Sequence, residues 1–227
     1  MCPPGPGHTY GCPMQIAQTD RTTVRRQSQR ASYERELVDA VIDEALSCHV
    51  GFAVEGRPWV IPTIHARVDD VLYLHGAVAN HMLRSLAGGI EACVTITLVD
   101  GLVLARSAFH HSMNYRSVMV FGRLTSVDDP DEKQSALHAL VEHVVPGRMT
   151  QARPPSEAEL RKTLLLRLPI DEASAKVRTG GPIDDPEDLS LPIWAGQLPL
   201  VSAYGSPIPE ADTTATVPAY VSGYRRP

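Results

Sequence analysis

The chain has 227 residues, 43% of them hydrophobic and 21% charged, with a net charge of −5. That length suits one domain with extensions, and the mildly acidic balance offers no general attraction to nucleic acid or anionic membrane. No apolar run approaches the ~20 residues of a spanning helix. The opening MCPPGPGHTYGCPMQ has neither the basic start nor the apolar stretch of a secretory signal, so a cytoplasmic protein is expected.

The elements are read in chain order. Residues 1–30 show no period and are read as a disordered tail. Ser32 is placed to cap a helix whose apolar face is Leu37, Val38, Val41, Ile42, Ala45 and Leu46. Strands follow at His49–Val54, Pro58–Arg67 and Val71–His75, with turns at Glu55-Gly56 and Asp69-Asp70. A short helix over Asn80–Leu86 is stopped by Gly88-Gly89. Residues 91–99 are rich in β-branched residues. Asp100-Gly101 reads as a tight hairpin turn into a returning strand, Leu102–Ala108.

Tyr115–Val127 is a further long strand. Asp129-Pro130 opens a helix that runs to Val145 and buries Leu137, Leu140, Val141 and Val144. Ser156–Glu159 is a capping box, and Thr163–Ile170 and Ala173–Arg178 complete the strands. Many short strands with few helices indicate a mainly β barrel or sandwich. The domain spans residues 31–180. Residues 181–227 read as an extended arm over it, anchored by Trp194, and then a disordered end.

The chemistry-bearing residues exclude several classes. No GxGxxG opens a helix after a strand, and no Gly-x-Ser-x-Gly elbow is present. The nine histidines show no preformed ligand spacing, so no metal site is expected. Cys48 and Cys93 sit in apolar contexts and read as buried free thiols. The stretch LYLHGAVANHMLRSLAGG is more informative. A strand ends at His75-Gly76, small residues follow, and a helix starts with Asn80, His81 and Arg84 in its first turn. That combination suits an anion at the helix start, or equally an ordinary strand-to-helix connection.

The run RPWVIPTIHARVDDVLYLHGAVANHMLRSL, with the later SAFHHSMNYRSVMVFGRLTSVDDPDEK, resembles the pyridoxamine 5′-phosphate oxidase-like split-barrel flavoproteins. It looks closest to their nitroimidazole-resistance branch. The resemblance implies an antiparallel, Greek-key-like split β-barrel binding FMN at a homodimer interface. Val60, Ile61, Pro62, Thr63 and Ile64 would line the flavin ring, with Tyr73 and His75 beside it. Asn80 and His81 would grip its phosphate. Tyr115, Arg116 and Ser117 would supply further ring-edge contacts, and Trp194 would cover the flavin. Arg116 could instead pair with an acid on a neighbouring strand.

The expected function is an FMN-dependent oxidoreductase acting on a small organic, nitro-aromatic substrate, with His75 as proton donor. The alternatives are a flavin- or haem-binding carrier or sensor, a vitamin B6 oxidase, and an enzyme of the deazaflavin F420; FAD is a further cofactor option. Asn80-His81 stands where the B6 oxidases carry Arg-Lys, which argues against their activity.

Overall fold

The computed structural model describes residues 14–226, so the first part of the tail, with Cys2 and Cys12, lies outside the described residues. The architecture is mainly antiparallel β, in two sheets that curl round a shared core without closing into a full barrel. The larger sheet contains β1 (Ala31–Ser32), β2 (Cys48–Val54), β3 (Arg57–Thr63), β6 (Glu91–Leu104), β7 (Ser112–Arg123), β10 (Ala173–Arg178) and β11 (Gly196–Pro199). Its order is β1-β10-β7-β6-β2-β3, with β11 added to β6. The smaller sheet has the order β4-β5-β9-β8, from β4 (Ala66–Val68), β5 (Val71–Ala77), β8 (Thr125–Ser126) and β9 (Thr163–Pro169).

The core follows from side-chain alternation. Val50, Val94, Ile96, Val118 and Val120 of the larger sheet meet Leu72, Leu74, Leu166 and Leu168 of the smaller one. Helix α1 (Arg35–Glu44) adds Val38, Val41 and Ile42, and α2 (His81–Ala87) adds Met82, Leu83 and Leu86. The other face of the smaller sheet packs Ala66, Tyr73 and Leu165 against Ala136 and Leu140 of α3 (Pro130–Val144). Asp129 and Pro130 start α3 as expected, and Ser156 and Glu159 form the capping box of α4 (Glu157–Lys162). Asn80 caps α2 by accepting from Leu83 N at 3.1 Å. Glu55 and Gly56 both adopt positive φ, 51° and 74°, and join β2 to β3 as a tight hairpin.

Several expectations are corrected. Pro58–Arg67 is not one strand. It divides into β3 and β4, which belong to different sheets, and the chain crosses between them at Ile64-His65. His65 is 0% exposed there, and its Nε2 donates to the Ile42 carbonyl of α1 at 2.9 Å. Burial holds its pKa down at about 4.

Asp100-Gly101 is not a hairpin either. β6 runs through it in register with β7, from Glu91 opposite Arg123 to Val103 opposite Ser112, with an irregularity between Val99 and Gly101. β2 covers one edge of β6 at Ala92–Thr95, and β11 covers the same edge at Gly101–Leu104. Glycine is required because a Cβ at position 101 would sit 2.8 Å from the Leu198 carbonyl oxygen. The apparent turn signal is thus a site of close backbone approach.

The tail expectation fails for residues 14–30. Ile16 and Thr22 are buried, and Gln15 bridges to Glu34. Thr19 and Arg21 both bond Glu172. Ser32 lies in β1, and the α1 cap position is Glu34. The arm adds β11 to the larger sheet, and the end expected to be disordered docks through Arg226. Trp194 is 68% exposed, its ring against Gly196, so it is not a buried anchor. The two last strands expected, at Thr163–Ile170 and Ala173–Arg178, occur as β9 and β10 and join different sheets. Cys48 is buried, with its thiol pushed up to about 12 by desolvation, and Cys93 is half-buried; both are free. No helix is long and apolar enough to cross a membrane among the described residues.

Two outcomes follow from this packing. Gly101→Ala forces β11 off its register and costs about 1–3 kcal/mol, read as a lower urea midpoint with faster proteolysis around residues 190–205. The second concerns His65, whose folded value near 4 lies below its free value of 6.5. Between these values the unfolded chain binds a proton that the folded chain refuses. Stability is therefore full above the upper value and falls as pH drops toward the lower one, by up to about 3 kcal/mol. Urea titrations across that window show the slope, and His65→Asn flattens it.

Candidate functional site

β5 reads VLYLHGA, and its alternation sorts the site. Leu72 and Leu74 enter the shared core, while Tyr73 and His75 face the α3 side. Tyr73 is buried, and its hydroxyl donates to Glu132 Oε1 at 2.8 Å. Arg167 reaches the same carboxylate at 3.3 Å. Burial, and then the Glu132 contact, push the Tyr73 phenol up to about 12. Tyr73 is therefore a neutral, fixed packing residue.

His75 opens instead into a cavity of about 540 Å³. One wall is an apolar row on α3, Leu137, Leu140, Val141 and Val144, spaced three and four apart. Ile64 lies beside His75, and Met149 and Pro154 close another side. Burial lowers the His75 pKa, so its imidazole is neutral at pH 7. Its Nδ1 is buried and has no hydrogen-bond partner among the described residues. His75 thus brings an imidazole with an unpartnered Nδ1 to the lining of a largely apolar cavity, and such a ring can serve a ligand.

The other expected residues form separate groups. On β3, Val60 is 68% exposed and Pro62 is exposed, while Ile61 packs on the core and Thr63 is half-buried. β3 is an edge strand of the larger sheet among the described residues. Trp59, on the opposite face of β3 from Val60 and Pro62, reaches His81, with ring centroids 5.6 Å apart. His81 and Arg84 line a shallow hollow at the start of α2. The oxygen of the Asn80 side chain is occupied in capping that helix.

Tyr115, Arg116 and Ser117 lie on β7, three strand spacings from β3, or about 14 Å. Within one chain they do not meet the β3 group. Arg116 bonds both Asp100, at 2.7 Å, and Glu44, and these two carboxylates hold its pKa raised. It thus takes the acid-pairing alternative. Ser117 Oγ donates to the Lys176 carbonyl at 3.3 Å.

The α3 wall and the 149–155 segment were not expected to line a site. Their signal was the apolar stripe of α3, which is wider than its packing on the smaller sheet needs. Val141 remains 38% exposed despite lying on that stripe. No group of three or more metal-ligating side chains occurs among the described residues.

The pyridoxamine 5′-phosphate oxidase family model matches residues 34–177. No curated protein matches the chain. Among solved structures, the flavocytochrome Anf3 from Azotobacter vinelandii is 37% identical, covering 92% of this chain and 98% of its own, with a TM-score of 0.86. A FAD and heme binding protein from Mycobacterium smegmatis is 36% identical, covering 87% and 98%, with a TM-score of 0.83. A putative 5-nitroimidazole antibiotic resistance protein from Bacteroides thetaiotaomicron is 26% identical, covering 65% and 86%, with a TM-score of 0.54. The first two match far beyond the barrel, into the arm that β11 attaches to it. With two open sheets round one core and a family match over most of both, the chain belongs to the pyridoxamine 5′-phosphate oxidase family.

Proposed function

We propose that this protein is a flavin- and haem-binding redox protein, with the haem in the α3 cavity on His75. The observation that carries the proposal is the imidazole of His75, partnerless at its buried Nδ1 among the described residues, in the lining of a largely apolar cavity of about 540 Å³. That volume lies in the range of about 300–1,000 Å³ usual for small-molecule sites. The residues fit a haem. The α3 row and Pro154 would cover an apolar macrocycle, while Arg153 at the lining is paired with Glu159 at 2.7 Å. A neutral imidazole is the form that ligates a metal.

The same neutrality argues against His75 as a proton donor, because its depressed pKa leaves the protonated form scarce at pH 7. Haem was an alternative in the sequence reading and becomes the leading one here. Support comes from the two relatives matched over nearly all of their length, one a flavocytochrome and the other a FAD and heme binding protein. For the same reason FAD replaces FMN as the proposed flavin.

The flavin would lie along the exposed β3 edge, with Trp59 and His81 on one face of the strand and Val60 on the other. That edge is too open to enclose an aromatic ring alone, and the β7 residues are too far away to complete it. A second copy of the chain would close it, so the proposed unit is a homodimer. When bound, a flavin supplies two-electron and one-electron transfer, and a haem supplies one-electron transfer. The chain itself holds His75 neutral, excludes water with the α3 row, and fixes the β5 wall through Tyr73 and Glu132.

Purified full-length protein, supplied with haemin and FAD, is expected to show both a Soret band and a flavin band. His75→Ala is expected to lose the Soret band and keep the flavin. Absence of the Soret band from the unmodified protein, or its survival in His75→Ala, sinks the haem assignment. For the flavin face, Val60→Glu is expected to halve the mass measured by light scattering and to weaken FAD binding about tenfold or more. Haem is retained in that variant.

A further inference from the structure

The geometry points to residues 219–226 as a fastener for the α3 wall, whose release opens the His75 cavity. Helix α1 ends at Glu44 with Ala45 in an extended conformation, and its last turn carries no basic residue. Helix α3 ends at Val144 with Val145 as its cap residue. Both ends leave carbonyls without intrahelical partners and present the negative pole of a helix dipole.

A single guanidinium serves both. Arg226 donates to the Asp43 carbonyl at 2.6 Å, to the Glu44 carbonyl at 3.2 Å, and to the His143 carbonyl. The planar fork of arginine suits several acceptors at once, which a lysine ammonium cannot reproduce.

Neighbouring residues extend the grip. The Tyr224 hydroxyl donates to the Val144 carbonyl. Tyr220 accepts from Arg148 at 3.0 Å, donates to Gln151 at 3.1 Å, and covers Gly147. Tyr204 meets Tyr224 edge-on, with centroids 4.5 Å apart. All the points gripped on α3 and after it lie between His143 and Gln151. That is the stretch from which Val144, Val145 and Met149 line the cavity.

Val144 and Val145 also line a second hollow, of about 440 Å³, whose outer wall is Tyr204, Val221 and Tyr224. Those two valines therefore separate the His75 cavity from the underside of the fastener. Residues 201–217, which lead into it, are exposed throughout. The segment can thus leave its seat without disturbing either sheet, and the α3 end then lacks its carbonyl partners. Entry of a cavity ligand would follow this local opening, a sub-global event of the kind that samples low-stability elements.

The test is hydrogen exchange on the full chain, comparing the unmodified protein with Arg226→Leu and with Tyr224→Phe. Arg226→Lys serves as the conservative variant. Residues 141–155 are expected to exchange at least about tenfold faster in Arg226→Leu, while β5, β6 and β7 are unchanged; this matches about 1.4 kcal/mol or more. Tyr224→Phe and Arg226→Lys should give smaller increases in the same stretch. Unchanged exchange in Arg226→Leu overturns the inference. So does a uniform rise across both sheets, which would make the segment part of the global fold.

The ligand-entry part rests on the haem reading. With haemin as the probe, Arg226→Leu should release haem to an excess of apomyoglobin faster than the unmodified protein does, and equal rates would overturn that part. A chain that binds no haemin defeats the proposed function alone, since the exchange measurement still decides the fastener.

Discussion

The chain leaves one sheet and enters the other at Ile64-His65, and the candidate site is built around that step. A crossing inside a core exposes backbone polar groups, and each needs a partner. His65 fills the corner, pins it to the Ile42 carbonyl, and lies against the His143 ring at 4.8 Å. His143 in turn donates to the Ala45 carbonyl at 2.8 Å. Two neutral imidazoles thus tie the β3–β4 corner, the end of α1 and the end of α3 into one joint. The position of the α3 wall relative to His75 depends on this joint.

Much of the architecture was legible from the sequence because local signals and tertiary packing agreed. Glu55-Gly56, Asp129-Pro130 and Ser156–Glu159 each specify one geometry, and each occurs as read. The misreadings share a cause. Asp100-Gly101 carries a strong hairpin signal, but the glycine is there for the approach of β11, some hundred residues away in sequence. Ile64-His65 carries no break signal at all, because the crossing is stabilised by a histidine that bonds to a helix. Residues 14–30 look unstructured because their few apolar contacts, such as Ile16, have no period, and their order comes from Thr19 and Arg21 meeting Glu172.

The candidate site shows the same division. His75 was found through the resemblance, but its environment was not. The cavity comes from a helix and a loop that follow it by more than fifty residues, and an apolar stripe does not say which of its residues face space. Arg116 illustrates the opposite error. Its type and place suggested a ligand contact, whereas Glu44 and Asp100 converge on it and hold the end of α1 against β6 and β7. Pairing of this kind depends on residues brought together from three elements, and no spacing in the sequence records it.

The edge of β3 has one further consequence. Its outer backbone groups have no neighbouring strand among the described residues, and Trp59 and Val60 stand on it exposed. Natural edge strands are usually blunted by charge, by bulges or by covering segments. Here Arg57 and Pro58 guard the start of the strand, and the exposed Pro62 removes a donor near its end. Left uncovered, the rest is a template for unwanted strand addition. In the homodimer proposed above, a second copy would shield the apolar stretch between those prolines from strand addition, so the edge that binds the partner is also the edge that needs it.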